Sequence, residues 1–67
     1  MKIKDLKGIC FSSLGGFIQF ADLYKASDSK TPLIEGRTIE YIIDNYPEAE
    51  IVRIMGIDNK LLIAIKD

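Results

Sequence analysis

The segment EIVRIMGIDNKLLIAIK, residues Glu50–Lys66, decides the fold because it contains two apolar runs separated by a turn signal. The runs, Ile51–Ile57 and Leu61–Ile65, are rich in β-branched and long aliphatic side chains, which suit a pleated sheet. The intervening pair Asp58-Asn59 tolerates the backbone conformation of a tight hairpin turn. The segment therefore predicts a C-terminal β-hairpin.

Both faces of this hairpin are apolar, although side chains alternate between the faces of a strand. On one side of the first run we place Ile51, Met55 and Ile57, and on the other side Val52 and Ile54. A small antiparallel sheet with one solvated face normally alternates apolar and polar residues. We therefore expect a covering layer on one face and an uncovered apolar surface on the other, and such a surface typically marks an interaction site.

One segment, Thr38–Tyr46, has the pattern of an amphipathic helix. Thr38 is suited to cap its N-terminus, and Pro47 ends it. Its apolar stripe consists of Ile39, Ile42, Ile43 and Tyr46. A helix of about nine residues is not stable alone, so we expect it to pack on the sheet and to cover the C-terminal hairpin.

The N-terminal half predicts a second hairpin. Its strands are Ile9–Phe11 and Phe17–Tyr24, joined by the Gly- and Ser-rich turn Ser12–Gly16. After a polar loop, Leu33–Gly36 predicts an extended segment that returns to the sheet. The order β-β-α-β-β predicts one α+β domain over residues 1–67, with a small four-stranded antiparallel sheet and one helix packed on one face.

The chain has 67 residues, with one Cys and no His. A domain of this size rarely gains enough stability from its core alone. An intrachain disulfide is impossible with one Cys, and a zinc site lacks a ligand set. We therefore expect no metal and no cofactor, and we expect a homo-oligomer, with a dimer favoured.

Catalytic chemistry has little support in this sequence. Without His, the commonest general base and every Ser–His or Cys–His pair are missing. Cys10 is interpreted as a small buried hydrophobe. The Ser12–Gly16 turn leads into a strand, whereas a phosphate-binding loop leads into a helix. We predict no catalytic residues and no enzyme activity.

The net charge is −1, which gives no general bias toward nucleic acid. Lys2, Lys4 and Lys7 lie near the N-terminus without interleaved aromatic residues, so they are a weak nucleic-acid signal. No apolar run approaches the length that crosses a bilayer. The single Cys and the lack of a signal peptide predict a cytoplasmic location.

Acidic residues concentrate around the predicted helix and suggest a protein-binding surface. If Glu40, Asp44 and Glu48 share one helix face, they form a negative stripe that suits a basic partner. Tyr41 is the tyrosine best placed to add exposed contact area. An alternative is a small-molecule site in an oligomer, with the cations Lys2, Lys4, Arg37 and Arg53 holding an anionic ligand such as a nucleotide.

The layout also resembles that of small proteins encoded by phages and prophages of Gram-positive bacteria. The resemblance is carried by the opening MKIKDL (1–6), by LIEG (33–36) before the helix, and by the closing LLIAIKD (61–67). Members of that group often have a longer N-terminal helix, and this chain departs from them there.

The resemblance implies the context of a non-catalytic protein that inhibits a host protein or a bacterial defence system, as anti-CRISPR proteins do. From the residues themselves we predict that such an inhibitor acts by occlusion through the acidic helix face. Other such proteins bind and sequester nucleotide signals, which agrees with the alternative site. A virion or assembly component is a further alternative that the sequence leaves open.

Overall fold

The computed structural model describes residues 1–13, 16–57 and 59–67. The elements in chain order are the 3₁₀ turn Ile3–Leu6, β1 (Phe11–Ser13), β2 (Gly16–Ile18), β3 (Phe20–Lys25), β4 (Ile34–Thr38), α1 (Ile39–Asn45), β5 (Ile51–Ile57) and β6 (Lys60–Ile65). The predicted small α+β class is confirmed. Leu14 and Gly15 of the first predicted turn, and Asp58 of the second, lie outside the described residues. No helix in the described part of the chain has the length and apolar character needed to cross a membrane.

The main sheet has four strands in the order β4-β3-β6-β5. The pairs β3–β4 and β5–β6 are antiparallel, but the two central strands β3 and β6 are parallel, with Ala21 opposite Leu61. The prediction of a wholly antiparallel sheet was therefore wrong, because the sheet is mixed. Two hairpins lie side by side with their inner strands running in the same direction, and a pattern of alternating side chains does not specify that direction.

The predicted strand Phe17–Tyr24 is divided at Gln19 into β2 and β3. The β2 half pairs with β1 in a separate two-stranded antiparallel sheet, with Phe11 opposite Ile18, so the predicted N-terminal hairpin forms outside the main sheet. In the main sheet, the place predicted for the first strand of this hairpin, Ile9–Phe11, is taken by β4, the predicted extended segment. At the division, the carbonyl oxygen of Gln19 accepts a hydrogen bond of 3.0 Å from the backbone N–H of Ile39.

The helix α1 is shorter than predicted and lies on a different part of the sheet. Thr38 caps it as expected, since its Oγ1 accepts a 3.1 Å hydrogen bond from the N–H of Tyr41. Its main contacts are with β3, β4 and the 3₁₀ turn rather than with the C-terminal hairpin. Seven residues span about 10 Å, whereas four strands span about 14 Å, so α1 is too short to cover the whole sheet.

The 3₁₀ turn packs against α1 and adds to the buried layer, because Ile3 and Leu6 are both buried. The backbone of this turn is joined to the chain beyond the helix by a 2.9 Å hydrogen bond from the N–H of Ile3 to the carbonyl of Ala49. The buried apolar residues form one core: Ile3, Leu6, Ile18, Ala21, Leu23, Ile42, Leu61, Ile63 and Ile65.

The edge strand β5 has an irregularity between Ile51 and Arg53 that changes which side chains share a face. Ile51 pairs with buried Ile65, so it faces the core and not, as predicted, the side of Met55 and Ile57. Met55 and Ile57 lie on the sheet surface away from α1 and stay 45% and 41% exposed. An exposed apolar surface therefore remains on the sheet, as expected.

Candidate functional site

A groove of about 890 Å³ lies between α1, β2 and the segment that joins the 3₁₀ turn to β1. Its apolar lining includes Leu6, Phe11, Ile18, Ile39 and Ile43. We call this feature the helix groove. The chain enters the joining segment through Gly8, whose φ of +84° is readily adopted by glycine. This turn places Ile9, which is 46% exposed, on the wall of the groove.

Two acidic side chains of α1, Glu40 and Asp44, also line the helix groove. Both are exposed and are four residues apart, so they lie on the same side of the helix. None of the ion pairs within the described residues involves either carboxylate. The groove therefore combines an apolar floor with two carboxylates that no ion pair among the described residues engages, and Lys7 also lines it.

Tyr41 is 42% exposed, as the sequence predicted, but it is not among the residues that line the helix groove. The guanidinium carbon of Arg37 lies 5.1 Å from the centroid of its ring, which is a cation–π distance. This contact joins β4 to α1 through the side chains of Arg37 and Tyr41. Tyr41 therefore lies beside the acidic residues of α1 while its ring face is engaged by Arg37.

Glu48 does not continue the acidic side of the helix, because α1 ends at Asn45 and Pro47 follows. Its carboxylate lies 3.0 Å from Nζ of Lys4 and 3.1 Å from Nζ of Lys2. Hydrogen bonds donated by the two lysines lower the pKa of Glu48 below its ordinary value of 4.5, and the bond from Lys4 has the larger effect. The structure thus pairs the third residue of the predicted stripe with the N-terminal lysines.

The four cations predicted for an anionic ligand do not converge within one copy of the chain. Lys2 and Lys4 are both engaged by Glu48. Arg37 and Arg53 lie on β4 and β5, which are opposite edges of the main sheet and are separated by about 14 Å. A nucleotide site drawing on all four residues would therefore require more than one copy.

Cys10 is exposed, and the expectation that it is buried was wrong. The cause is local: β1 begins at Phe11, so Cys10 lies in the joining segment beside the helix groove instead of in a strand. Within residues 1–13, 16–57 and 59–67, no three His, Cys, Asp or Glu side chains are grouped to hold a metal ion.

Asp22 is a buried charged residue that the sequence analysis did not single out. It is 2% exposed, and its Oδ2 lies 2.7 Å from Nζ of Lys60. Its Oδ1 accepts a 2.7 Å hydrogen bond from the N–H of Gly36. The hydrogen bond to Asp22 is the main cause that raises the pKa of Lys60 above 10.5. An aspartate inside an otherwise apolar strand was the signal available in the sequence, and its role here is structural.

Comparisons with protein families, with curated proteins and with solved structures find no match to this chain. The helix groove and the charges around it are therefore the features of the molecule that bear on its function.

Proposed function

We propose that the protein is a small, non-catalytic interaction protein that binds a protein partner at the helix groove. The observation that carries the proposal is the position of Glu40 and Asp44 on an apolar groove, with no ion-pair partner for either within the described residues. Paired carboxylates at an apolar groove favour a partner that presents an apolar side chain next to lysine or arginine.

The aromatic and aliphatic residues around the groove support the same partner chemistry. Phe17 is 74% exposed, and it lines the groove together with Ile9. Exposed apolar side chains of this size contribute much of the binding free energy when a partner buries them. Tyr41, held beside the acidic residues by Arg37, extends the contact surface beyond the groove.

The acidic surface in this proposal is smaller than the sequence suggested. It consists of Glu40 and Asp44, with Tyr41 next to them, because the carboxylate of Glu48 is already engaged by Lys2 and Lys4. Binding in this way blocks whatever surface of the partner enters the groove. An inhibitor of a host or defence protein, encoded by a phage and acting by occlusion in the cytoplasm, is the context implied by the resemblance in layout, and it remains part of the proposal.

The test is quantitative affinity capture from bacterial lysate with the wild type and two charge-reversed variants. The Glu40→Lys/Asp44→Lys variant is expected to lose the partner. Glu35→Lys/Glu50→Lys is the matched control, because it changes the net charge equally at two other exposed acidic residues. Circular dichroism checks that both variants remain folded. If no captured protein distinguishes the groove variant from the control, the proposal is wrong.

Once a partner has been identified, a second measurement locates the surface of this protein that binds it. Amide chemical shifts in NMR spectra are expected to change at Ile9, Ile39 and Asp44 when the partner is added. Because the proposed contact is partly electrostatic, the affinity is expected to fall as salt is raised. Shift changes confined to the sheet surface around Met55 would place the partner elsewhere.

A further inference from the structure

As far as the structure describes the chain, the strand β5 has a free edge along most of its length. On one side it pairs with β6, from Ile51 to Ile57. On the other side, the contact found among the described residues is at its start, where the N–H of Ile51 donates a 2.7 Å hydrogen bond to the carbonyl of Met1. Alternate N–H and C=O groups beyond this point are therefore open to another strand.

The side chains along this edge are apolar and exposed. Val52, Ile54, Met55 and Ile57 are 51%, 39%, 45% and 41% exposed. Proteins usually protect such an edge with lysine, proline, a pronounced bulge or a covering segment. Among residues 1–13, 16–57 and 59–67, the protection of this edge consists of Arg53, the irregularity beside it and the contact with Met1 at one end. The edge thus has both the free hydrogen-bonding groups and the apolar surface that favour a partner strand.

We propose that β5 pairs antiparallel with β5 of a second copy of the chain, so that two four-stranded sheets join into one sheet of eight strands. The proposal does not depend on the proposed function, because none of the residues lining the helix groove belongs to β5. A dimer of this kind leaves both grooves open.

The sequence of β5 is compatible with antiparallel pairing to the same strand of a second copy. When the two-fold axis passes beside Ile54, Arg53 lies opposite Met55 of the partner subunit. When the axis passes beside Met55, Arg53 lies opposite Ile57 of the partner subunit. Both registers avoid opposing the two arginines, which would be destabilising. The strand has no acidic residue between Ile51 and Ile57, so an apolar strand suits it better than a charged one, and the chain itself supplies such a strand.

Both registers also keep the same face of each sheet on the same side of the joined sheet, because paired residues are then an even number of positions apart along equivalent strands. The exposed surfaces that include Met55 and Ile57 become continuous across the junction. The contact is small, since seven residues per copy are fewer than the 20–30 of a standard interface. The dimer is therefore expected to dissociate at concentrations on the order of micromolar.

The first test is sedimentation velocity of the full chain from 1 µM to 1 mM. The wild type is expected to shift from 7.5 kDa toward twice that mass. Met55→Lys and Val52→Lys place a charge on the edge and are expected to weaken the dimer at least tenfold. Phe17→Lys, at a more exposed apolar residue outside β5, is the control and is expected to dimerise like the wild type. A wild type that stays at 7.5 kDa throughout, or a control weakened as much as the β5 variants, would overturn the proposal.

The second test fixes the register and does not rely on weakening the dimer. In a Cys10→Ser background, Ile54→Cys or Met55→Cys places two thiols opposite each other at the two-fold axis. Directly opposed residues of antiparallel strands are within the Cα distance of a disulfide. Mild oxidation is expected to crosslink one of these variants efficiently and to leave Phe17→Cys largely monomeric. Equal crosslinking of all three variants would contradict a specific β5 pairing.

Discussion

Oδ1 of Asp22 accepts a hydrogen bond of 2.7 Å from the backbone N–H of Gly36. The two residues lie where the pairing of β3 and β4 shifts register, between the partners of Ala21 and Leu23. An irregularity of this kind leaves a backbone group without its partner in the ladder. The carboxylate of Asp22 satisfies that group and at the same time pairs with Lys60 of the neighbouring strand, so one side chain joins β4, β3 and β6.

Replacement of Asp22 by Ala is expected to lower the free energy of unfolding by about 2 kcal/mol, because a hydrogen bond from the backbone and one from a charged group are both lost. Asp22→Asn keeps an oxygen for Gly36 and removes the charge, so its cost is expected to be smaller. Urea denaturation followed by circular dichroism measures both. An alanine variant as stable as the asparagine variant would show that the hydrogen bond to Gly36 contributes nothing.

Gly36 itself is expected to resist substitution for a backbone reason. Its φ is +66°, and a Cβ atom there would meet no other atom within 4 Å. The cost of Gly36→Ala is therefore conformational and is expected to be about 1 kcal/mol. Gly56→Ala is the control, because its Cβ would make an ordinary contact of 3.8 Å with Ile18 and its φ is not in the left-handed region.

The control is expected to be neutral or to stabilise the protein by about 0.5 kcal/mol, since alanine restricts the unfolded chain more than glycine does. Thermal unfolding of the two variants distinguishes these outcomes. Equal destabilisation by both substitutions would mean that the positive φ of Gly36 has no energetic consequence.

The N-terminal 3₁₀ turn is expected to be essential to stability in spite of its length. Ile3 is completely buried, and replacement of such a residue by Ala costs about 2–5 kcal/mol. A domain of this size has a total stability of only a few kcal/mol, so Ile3→Ala is expected to be largely unfolded at room temperature. Ile9→Ala, at a residue 46% exposed, is expected to remain close to the wild type. Urea titration at several temperatures measures both variants.

The ion pairs of Glu48 predict a dependence of stability on pH. The pKa of Glu48 is lower in the folded protein than its ordinary value of 4.5. The unfolded chain therefore binds a proton more readily, and the contribution of this group is complete above about pH 4.5 and is lost as the pH falls through the folded pKa. We expect a Lys2→Gln/Lys4→Gln variant to lose less stability than the wild type over that acid range.

Urea denaturation between pH 2.5 and pH 6 checks this expectation, with Lys30→Gln/Lys66→Gln as a control of equal charge. Because Lys2, Lys4 and Glu48 are exposed, the difference is expected to shrink in 1 M salt. A control that flattens the pH dependence as much as the Lys2/Lys4 variant would point to net charge rather than to these pairs.

The elements that could be predicted from the sequence are those with a local physical cause. The helix follows from the cap at Thr38, the spacing of Ile39, Ile42 and Ile43, and the stop at Pro47. The C-terminal strands follow from two β-branched runs. Each of these signals lies within a few residues of the element it produces, so no knowledge of the rest of the fold is needed.

The features that could not be predicted depend on contacts between distant parts of the chain. The parallel pairing of Ala21 with Leu61 is set by how two hairpins assemble. The division of the Phe17–Tyr24 run at Gln19 depends on the contact with Ile39. For the candidate site, the positions of Glu40 and Asp44 followed from helical spacing. The pairing of Glu48 with Lys2 and Lys4 depends instead on the N-terminal segment packing beside the residues that follow α1.

The parallel pairing of β3 with β6 also constrains when the chain can fold. Ala21 of β3 meets its partner Leu61 on β6, the last strand of the main sheet in chain order, so the centre of that sheet cannot form until β6 has been synthesised. Contacts so distant in sequence make folding slower than it is in proteins of mostly local contacts. Until β6 arrives, the edges of β3 and β5 that pair with it stay open, and nascent chains are expected to need protection from association with one another during that interval.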